Sequence, residues 1–150
     1  MRCLIQRTLT CKVHIKEKIH SSIPGGLFLL LGIEDADTSE DIDWLCNKIA
    51  NMRIFPDTQG VMNLSVMEAE QEIMVVSQFT LHASTKKGNR PSYIKAARPE
   101  KAIPLYEAFV KKIGEVSQRP VKTGVFGAEM KIEFTNNGPV TLLIDSKNRE

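Results

Sequence analysis

Strand patterns at both ends of the chain constrain the fold more than any other feature of the sequence. Apolar residues recur at every second position at Met1, Cys3 and Ile5 and again at Val13 and Ile15, which is the period of a half-buried strand. A continuous apolar run at residues 27–31 follows the Pro24-Gly25-Gly26 turn and is typical of a strand buried on both faces. We therefore expect a hairpin followed by a third strand.

The last third of the chain returns to strand patterns. Residues 121–126 and 130–134 are rich in apolar and alternating positions, which favours strands. The Asn136-Asn137-Gly138-Pro139 segment predicts a turn between two strands, with the second strand at residues 140–144. The tail at residues 147–150 is predicted to fray.

Two amphipathic helices are predicted between these strands. Thr38 can cap the first helix with Asp41 three residues later, and its apolar face continues until Pro56: Ile42, Leu45, Ile49 and Met52. The second begins near Pro99, and its apolar stripe should cover the sheet: Leu105, Phe109, Ile113 and Val116. Strands on both sides of two helices predict an α+β fold.

Length and composition favour one domain, spanning residues 1–150, in a cytoplasmic protein. A chain of 150 residues buries roughly two-thirds of its unfolded surface. The three cysteines, Cys3, Cys11 and Cys46, lack metal-ligand spacing, so reduced thiols and the cytosol are expected. The N-terminus lacks the apolar core of a signal peptide, and the run at 27–31 is too short to cross a bilayer, so we expect neither export nor membrane insertion.

A basic stretch lies between Leu81 and Pro99, where the sequence has no acidic residue. It contains five cations and one tyrosine: Lys86, Lys87, Arg90, Lys95, Arg98 and Tyr93. Such a stretch can bind phosphates, but charge runs are often solvated loops. The sequence alone favours neither interpretation.

The segment Ser77-Gln78-Phe79-Thr80-Leu81-His82-Ala83 follows a β-branched and apolar run at residues 73–76, which places it at the end of a strand. Ser77 and Thr80 offer hydroxyl groups, but a hydroxyl without a partnered base is a weak nucleophile at neutral pH. His14, His20 and His82 lack metal-ligand spacing, and His82 is a poor candidate for a general base. The residues alone indicate neither an activated nucleophile nor a metal site.

Two motifs together resemble the signatures of the D-aminoacyl-tRNA deacylases: residues 77–83, and Asn136-Asn137-Gly138-Pro139-Val140-Thr141. Three further segments resemble the family at matching places: Gln6-Arg7, residues 87–92, and residues 124–130. The resemblance spans nearly the whole chain. It implies a barrel-like homodimer with two main covering helices and two shared sites, which frees tRNA from D-amino acids without a metal or cofactor.

The resemblance also implies residue roles. Ser77, Gln78, Phe79 and Thr80 would form a pocket that positions the ester, with backbone N–H groups facing its carbonyl oxygen and the 2′-hydroxyl of the tRNA assisting the reaction. Gly138 and Pro139, joined by a cis bond, would enter the other subunit's site and reject L-amino acids. Arg7 and Met130 would hold this dipeptide. Lys86, Lys87 and Arg90 would bind tRNA.

The same filter would not reject a substrate without a side chain, so glycyl-tRNA mischarged on alanine tRNA is also expected to be cleaved. Two positions depart from the family's pattern: Asn137 stands where aspartate is common, and His82 is unusual. The alternatives are a non-catalytic RNA- or ligand-binding dimer of the same fold and a threonine or histidine hydrolase of small esters. A related branch with a trans Gly-Pro bond is disfavoured, because its first motif begins with proline rather than Ser77.

Overall fold

The computed structural model describes residues 1–149. The strands are β1 (Arg2–Ile15), β2 (Lys18–Ile23), β3 (Gly26–Gly32), β4 (Phe55–Pro56), β5 (Met62–Leu64), β6 (Glu72–Ser77), β7 (Val121–Thr123) and β8 (Lys131–Asp145). The helices are α1 (Ser39–Asn51) and α2 (Pro99–Ser117), and a 3-10 turn at Phe79–His82, the motif turn, follows β6.

Six strands form one mixed sheet that curls into a nearly closed barrel. Their order is β2-β1-β3-β6-β7, and β8 pairs with β1. β3 and β6 are parallel, as are β6 and β7, while β1 is antiparallel to β2, β3 and β8. This architecture confirms the predicted barrel-like α+β class with two covering helices.

Two apolar clusters pack on opposite faces of β3. Leu27, Leu29 and Leu31 join a cluster that includes residues of both helices, whereas Phe28 belongs to a second cluster formed by strand residues inside the barrel. Burial on both faces explains why residues 27–31 form a continuous apolar run. The predicted hairpin and third strand are confirmed as β1, β2 and β3.

Helix α1 begins as predicted, since the Thr38 backbone N–H donates to an Asp41 carboxylate oxygen at 2.8 Å. It ends at Asn51, earlier than the apolar pattern indicated. Pro56 lies instead in the short strand β4, so the prediction that the helix runs to this proline is wrong. Met52 still packs against the core from beyond the helix end.

The predicted turn at 136–139 is also wrong, because residues on both sides of it pair with the same strand. Gln6 of β1 pairs with Thr141, and Thr8 pairs with Asn136. Arg7 alone therefore faces four residues of β8, residues 137–140, which bulge from the ladder without reversing the chain. We call this segment the Gly-Pro bulge. Residues on either side of a bulge show the same alternation as two hairpin strands, so the sequence could not separate the two cases.

Two smaller predictions also fail. The sheet strand at 121–126 is shorter than expected and ends at Thr123. The tail does not fray at Lys147, whose ammonium group lies 2.7 Å from an Asp41 carboxylate oxygen, or at Arg149, whose guanidinium lies 4.5 Å from the Trp44 ring centroid. Glu150 lies outside the described residues.

Neither helix within residues 1–149 has the length and hydrophobicity that a membrane-spanning helix needs. Within the same residues, no group of three or more His, Cys, Asp or Glu side chains is arranged to hold a metal ion.

Candidate active site

The motif turn is positioned by the sheet beneath it. Strand β6 ends at Ser77, opposite Leu31 of β3, and the Gln78 backbone N–H donates to the Leu31 carbonyl oxygen at 2.7 Å. The chain then turns, with the Leu81 N–H donating to the Gln78 carbonyl oxygen at 3.3 Å. The motif thus lies where a buried strand ends, as the sequence predicts.

Gly32 lets the turn lie directly on the backbone of β3. A Cβ atom at this position would lie 2.9 Å from the Leu81 Cβ and 3.1 Å from the Gln78 carbonyl oxygen. Such distances are too short for a side chain without movement of the turn. The missing side chain of Gly32 therefore allows close packing of the motif turn against the sheet.

The side chains of the motif make a polar and an apolar surface. The Gln78 side-chain amide donates to the Thr80 hydroxyl oxygen, while Ser77 is half-buried. Phe79 is 56% exposed and makes an edge-to-face contact with Tyr93. Within residues 1–149, neither the Ser77 nor the Thr80 hydroxyl forms a hydrogen bond with a histidine or carboxylate side chain, so the site lacks the partnered base that an activated hydroxyl needs.

His82 does not supply that base. Its side chain is only 1% exposed, and neither ring nitrogen has a hydrogen-bond partner in the described part of the chain. The thiols are equally unsuited as nucleophiles, because burial raises the pKa of Cys11 and Cys46 to about 12. Both thiols stay protonated at neutral pH.

The main chain offers the site its hydrogen-bond donors. Phe79 and Thr80 open the 3-10 turn, so their N–H groups have no acceptor within it. Two adjacent N–H groups at the start of a turn can face an oxygen that gains negative charge during a reaction. The motif turn can therefore stabilise such an oxygen without a charged side chain.

The side chain of Asn136, which has no predicted role, closes the base of the Gly-Pro bulge. Asn136 accepts a hydrogen bond from the Val140 N–H at 2.8 Å and donates one to the Thr141 hydroxyl at 3.0 Å. Gly138 and Pro139 are both exposed at the tip of the bulge, and the peptide bond between them is cis. Asparagine before a turn-like sequence is the available signal, since its side chain commonly bonds nearby backbone.

Arg7 holds the bulge from the neighbouring strand. Its guanidinium donates to the Asn137 carbonyl oxygen at 3.0 Å and to the Ile54 carbonyl oxygen at 2.5 Å, and the residue is buried. Met130 lies in a different environment: it packs against the barrel-interior cluster and close to Gly124. The structure thus ties Arg7 directly to the bulge.

Lys86, Lys87 and Arg90 lie together in a loop beside the motif turn. Ser84 and Ser92 close this loop with paired backbone hydrogen bonds of 2.8 and 2.9 Å. All three cations are exposed, and none makes an ion pair with another residue of the described chain. Their charge is available to an anionic partner.

Comparison with known proteins identifies the family. The family model described as D-Tyr-tRNA(Tyr) deacylase matches residues 4–145. The D-aminoacyl-tRNA deacylase of Parabacteroides distasonis is 60% identical over 150 residues, covering all of both chains. The D-aminoacyl-tRNA deacylase of Flavobacterium johnsoniae is 57% identical with the same coverage.

Two solved structures share the fold. A structure named c-Myc DNA Unwinding Element Binding Protein superposes with a TM-score of 0.91 at 34% identity, over 97% of this chain and 98% of that one. A probable eukaryotic D-amino acid tRNA deacylase superposes with a TM-score of 0.81 at 17% identity, over 95% and 97% of the two chains, and this likeness shows the fold alone.

These comparisons define the class of protein as a hydrolase. The chain belongs to the D-aminoacyl-tRNA deacylase family, which confirms the resemblance read from its motifs.

Proposed function

We propose that this protein hydrolyses the ester of D-aminoacyl-tRNA in the cytoplasm, as a homodimer with two shared active sites and without a metal or cofactor. The observation that carries the proposal is the exposed Gly138-Pro139 main chain at the tip of a bulge held by Arg7 and Asn136. In each site, the motif turn of one subunit positions the ester, and the bulge of the other subunit tests the chirality of the amino acid.

The edge position of β8 supports the homodimer. This strand runs for 15 residues, and β1 is its only strand partner within residues 1–149. Leu142 and Leu143 are exposed on it, in the half that follows the bulge. A long edge strand with exposed leucines favours association, and a second copy covering β8 would bring the bulge against another subunit.

A chirality test by main chain follows from the chemistry of the bulge. Carbonyl oxygens of Gly138 and Pro139 can accept hydrogen bonds from the substrate's ammonium group. An L-side chain on the α-carbon would be driven into these oxygens, whereas a D-side chain would point away from them. Met130 would support the dipeptide across the interface. The identity of a D-side chain would then have little effect on the rate.

The chemistry itself relies on the substrate. Because the hydroxyls of Ser77 and Thr80 have no base beside them, we infer that the 2′-hydroxyl of the terminal ribose assists ester hydrolysis. Ser77 and Gln78 place the terminal adenosine or the ester, and Phe79 forms an apolar wall. The N–H groups of Phe79 and Thr80 stabilise the charge that develops on the ester carbonyl oxygen.

Lys86, Lys87 and Arg90 contribute affinity for tRNA and leave chirality to the bulge. Their unpaired charges suit phosphate groups, which position a nucleic acid without reading its fine chemistry. Replacing all three with glutamine should weaken tRNA binding and reduce its salt dependence. An unchanged salt slope would show that the loop is only solvated.

The decisive experiment measures hydrolysis of D-tyrosyl-tRNA and L-tyrosyl-tRNA by the purified protein. We expect release of D-tyrosine and survival of the L-ester. D-alanyl, glycyl and L-alanyl esters of alanine tRNA then test the filter, because glycine has no side chain to reject. Cleavage of the first two and survival of the third is expected, and an inert glycyl ester would show that Gly138 and Pro139 do not act by steric exclusion.

The unpaired cations also fit a second function, a non-catalytic nucleic-acid-binding dimer. The superposed structure at 34% identity is named for binding a DNA element. Tight binding of uncharged tRNA or DNA by a protein that cleaves none of the esters above would favour this alternative.

A further inference from the structure

Two aromatic rings stand exposed beside the motif turn. The ring centroids of Phe79 and Tyr93 lie 5.1 Å apart, with an interplanar angle of 76°. Phe79 is 56% exposed and Tyr93 is 40% exposed. In an edge-to-face pair the edge of one ring covers one face of the other, and the exposed fractions show that part of each side chain remains open to a ligand. We call the two residues the aromatic pair.

The backbone on both sides of the pair is anchored. Phe79 begins the motif turn, which lies on β3. Tyr93 follows Ser92, which pairs with Ser84 and closes the loop that carries the three cations. The Tyr93 carbonyl oxygen accepts from the Ala96 N–H at 3.0 Å, and Ala96 in turn bridges to Glu34. The two rings therefore meet in a fixed place and do not depend on a free loop to bring them together.

Tyr93 lies within the basic stretch of the sequence. Residues 81–99 contain five basic residues and no acidic one, and none of the five makes an ion pair within residues 1–149. Exposed rings on a segment with unpaired cations are the combination that binds single-stranded nucleic acid, because bases stack on the rings while the cations follow the phosphates. An anionic ligand without bases would use the cations and leave the rings unused.

We propose that the aromatic pair is a stacking site for an unpaired base of the tRNA 3′ end. This inference rests on the proposed function, since tRNA supplies the single strand that reaches the motif turn. Tyr93 is thereby a binding residue that the motif itself does not include. Stacking tolerates any base, so the site adds affinity and orientation without a sequence preference.

The test crosses one protein change with one RNA change. The variants are Tyr93→Leu, which removes the ring, and Tyr93→Phe, which keeps it. The probes are a short single-stranded oligoribonucleotide ending in CCA and the same oligonucleotide with abasic riboses at its 3′ end, so that the phosphates are equal. We expect Tyr93→Leu to weaken binding of the first probe by about fivefold or more and to leave binding of the abasic probe unchanged.

Ile94→Ala is the matched control, because Ile94 is adjacent and 90% exposed. It should bind both probes like the unmodified protein, as should Tyr93→Phe. Equal weakening of both probes by Tyr93→Leu, or no weakening at all, would overturn the stacking site. The melting temperature of each variant shows whether the fold is retained, and the half-exposed position of Tyr93 makes a folding defect unexpected.

Deacylation of D-tyrosyl-tRNA, measured on the same preparations, separates the two proposals. If the unmodified protein cleaves the ester but Tyr93→Leu binds both probes normally, the stacking site is wrong and the proposed function stands. If the base-dependent effect of Tyr93→Leu is present but no ester is cleaved, the stacking site stands and the proposed function is wrong. In an active enzyme, the defect of Tyr93→Leu should fall mainly on KM.

Discussion

The motif turn and the Gly-Pro bulge carry the two halves of the proposed site, and they are held in different ways. The turn lies on the backbone of β3 at Gly32 and continues a buried strand. The bulge projects from an edge strand and is held by side chains, Arg7 from β1 and Asn136 at its base. The core of the barrel fixes the first, whereas a few polar contacts fix the second.

This difference suits the proposed division of roles, in which the turn positions the ester and the bulge rejects L-amino acids. Within residues 1–149, no hydrogen bond or ring contact joins the turn to Gly138 or Pro139. The motif turn and the tip of the bulge are therefore not joined directly within one chain, which is consistent with the proposal that they act in sites shared between two subunits. Changes that displace the main chain of the turn should alter the rate on every substrate, while changes to the bulge should also alter the choice between substrates.

The largest expected effect concerns the proposed role of the tRNA 2′-hydroxyl at the motif turn. With tRNA ending in 2′-deoxyadenosine and the D-amino acid on the 3′ oxygen, hydrolysis should fall about a hundredfold or more, as for loss of an assisting acid or base. Single-turnover rates of ester cleavage measure the effect. A 2′-deoxy substitution at the preceding nucleotide is the control and should have little effect. Full-speed hydrolysis of the terminal deoxy substrate would refute the role of the 2′-hydroxyl.

The second prediction tests the shape of the bulge. Gly138 has a φ of +137°, and an added Cβ would lie 2.7 Å from the Val140 Cγ2 and 3.2 Å from the Arg7 Nη2. Gly138→Ala should therefore displace the bulge and lower cleavage of D-tyrosyl-tRNA about ten- to hundredfold. Gly60→Ala is the control, since Gly60 also has a positive φ, +78°, but an added Cβ there would meet no atom within 4 Å. Equal activity of the two variants would show that the shape of the bulge does not matter for cleavage of the ester.

The third prediction concerns the anchor at the end of β8. Burial alone would raise the pKa of Asp41, but hydrogen bonds from Lys147, Ser146 and the Thr38 N–H outweigh it and hold this pKa well below its usual range. A carboxylate with a lowered folded-state pKa stabilises the fold above its unfolded pKa of about 4, and this stabilisation is lost as the pH falls further.

Asp41→Asn should therefore lower the free energy of unfolding at pH 7 by about 2–3 kcal/mol and reduce its loss between about pH 4 and pH 2. Chemical denaturation at several pH values measures both. Lys147→Gln, which removes only the partly exposed partner, should have a smaller effect. An unchanged pH dependence in Asp41→Asn would show that other carboxylates cause the acid sensitivity.

The fourth prediction tests how the bulge is closed. Asn136→Ala removes the acceptor of the Val140 N–H, so the free energy of unfolding should fall by about 1–2 kcal/mol, and cleavage of L-tyrosyl-tRNA should become measurable as the filter loosens. Thr141→Val is the control, because it removes the hydroxyl that accepts from Asn136 and Gln6 but leaves the acceptor of the Val140 N–H in place. If Asn136→Ala still rejected L-tyrosyl-tRNA, the hydrogen bonds of Arg7 would be sufficient to hold the Gly-Pro bulge.

The motif turn and the Gly-Pro bulge also differ in how much of their structure the sequence predicts. The place of the motif at the end of a strand was predictable, because an apolar run marks β6 and the motif follows it directly, whereas the 3-10 turn itself was not predicted. The bulge was misread as a hairpin turn, because its partner strand β1 is distant in sequence and the local pattern of the two segments is the same. Register against a distant strand is a tertiary property.

The roles of single residues were also predicted only in part. Arg7 was named through its resemblance to the family, but its hydrogen bonds to Ile54 and Asn137 depend on three segments meeting. Asn136 received no role, although its type and place carried a local signal. The single-domain assignment, the homodimer, the chirality filter and the role of Met130 stay predictions, because they concern a partner subunit, a bound substrate or the chain as a whole.

The smallest expected effect returns to the motif turn. Thr80 and His82 are the motif side chains most easily mistaken for a nucleophile and a base, yet the Thr80 hydroxyl accepts from Gln78 and the His82 ring is buried without partners in the described chain. Thr80→Ala, and likewise His82→Ala, should keep D-tyrosyl-tRNA cleavage within about fivefold, because loss of a true nucleophile or base costs far more. His82→Leu should also change the free energy of unfolding by less than about 1 kcal/mol, because it removes two polar atoms that lack partners and largely fills their space. Rates at saturating tRNA, with circular dichroism to confirm the fold, measure these effects.

Thr80→Ser keeps the hydroxyl and is the matched control for Thr80→Ala. If Thr80→Ala were inactive while Thr80→Ser kept full activity, the threonine hydroxyl would be part of the chemistry, and the turn would do more than position the ester.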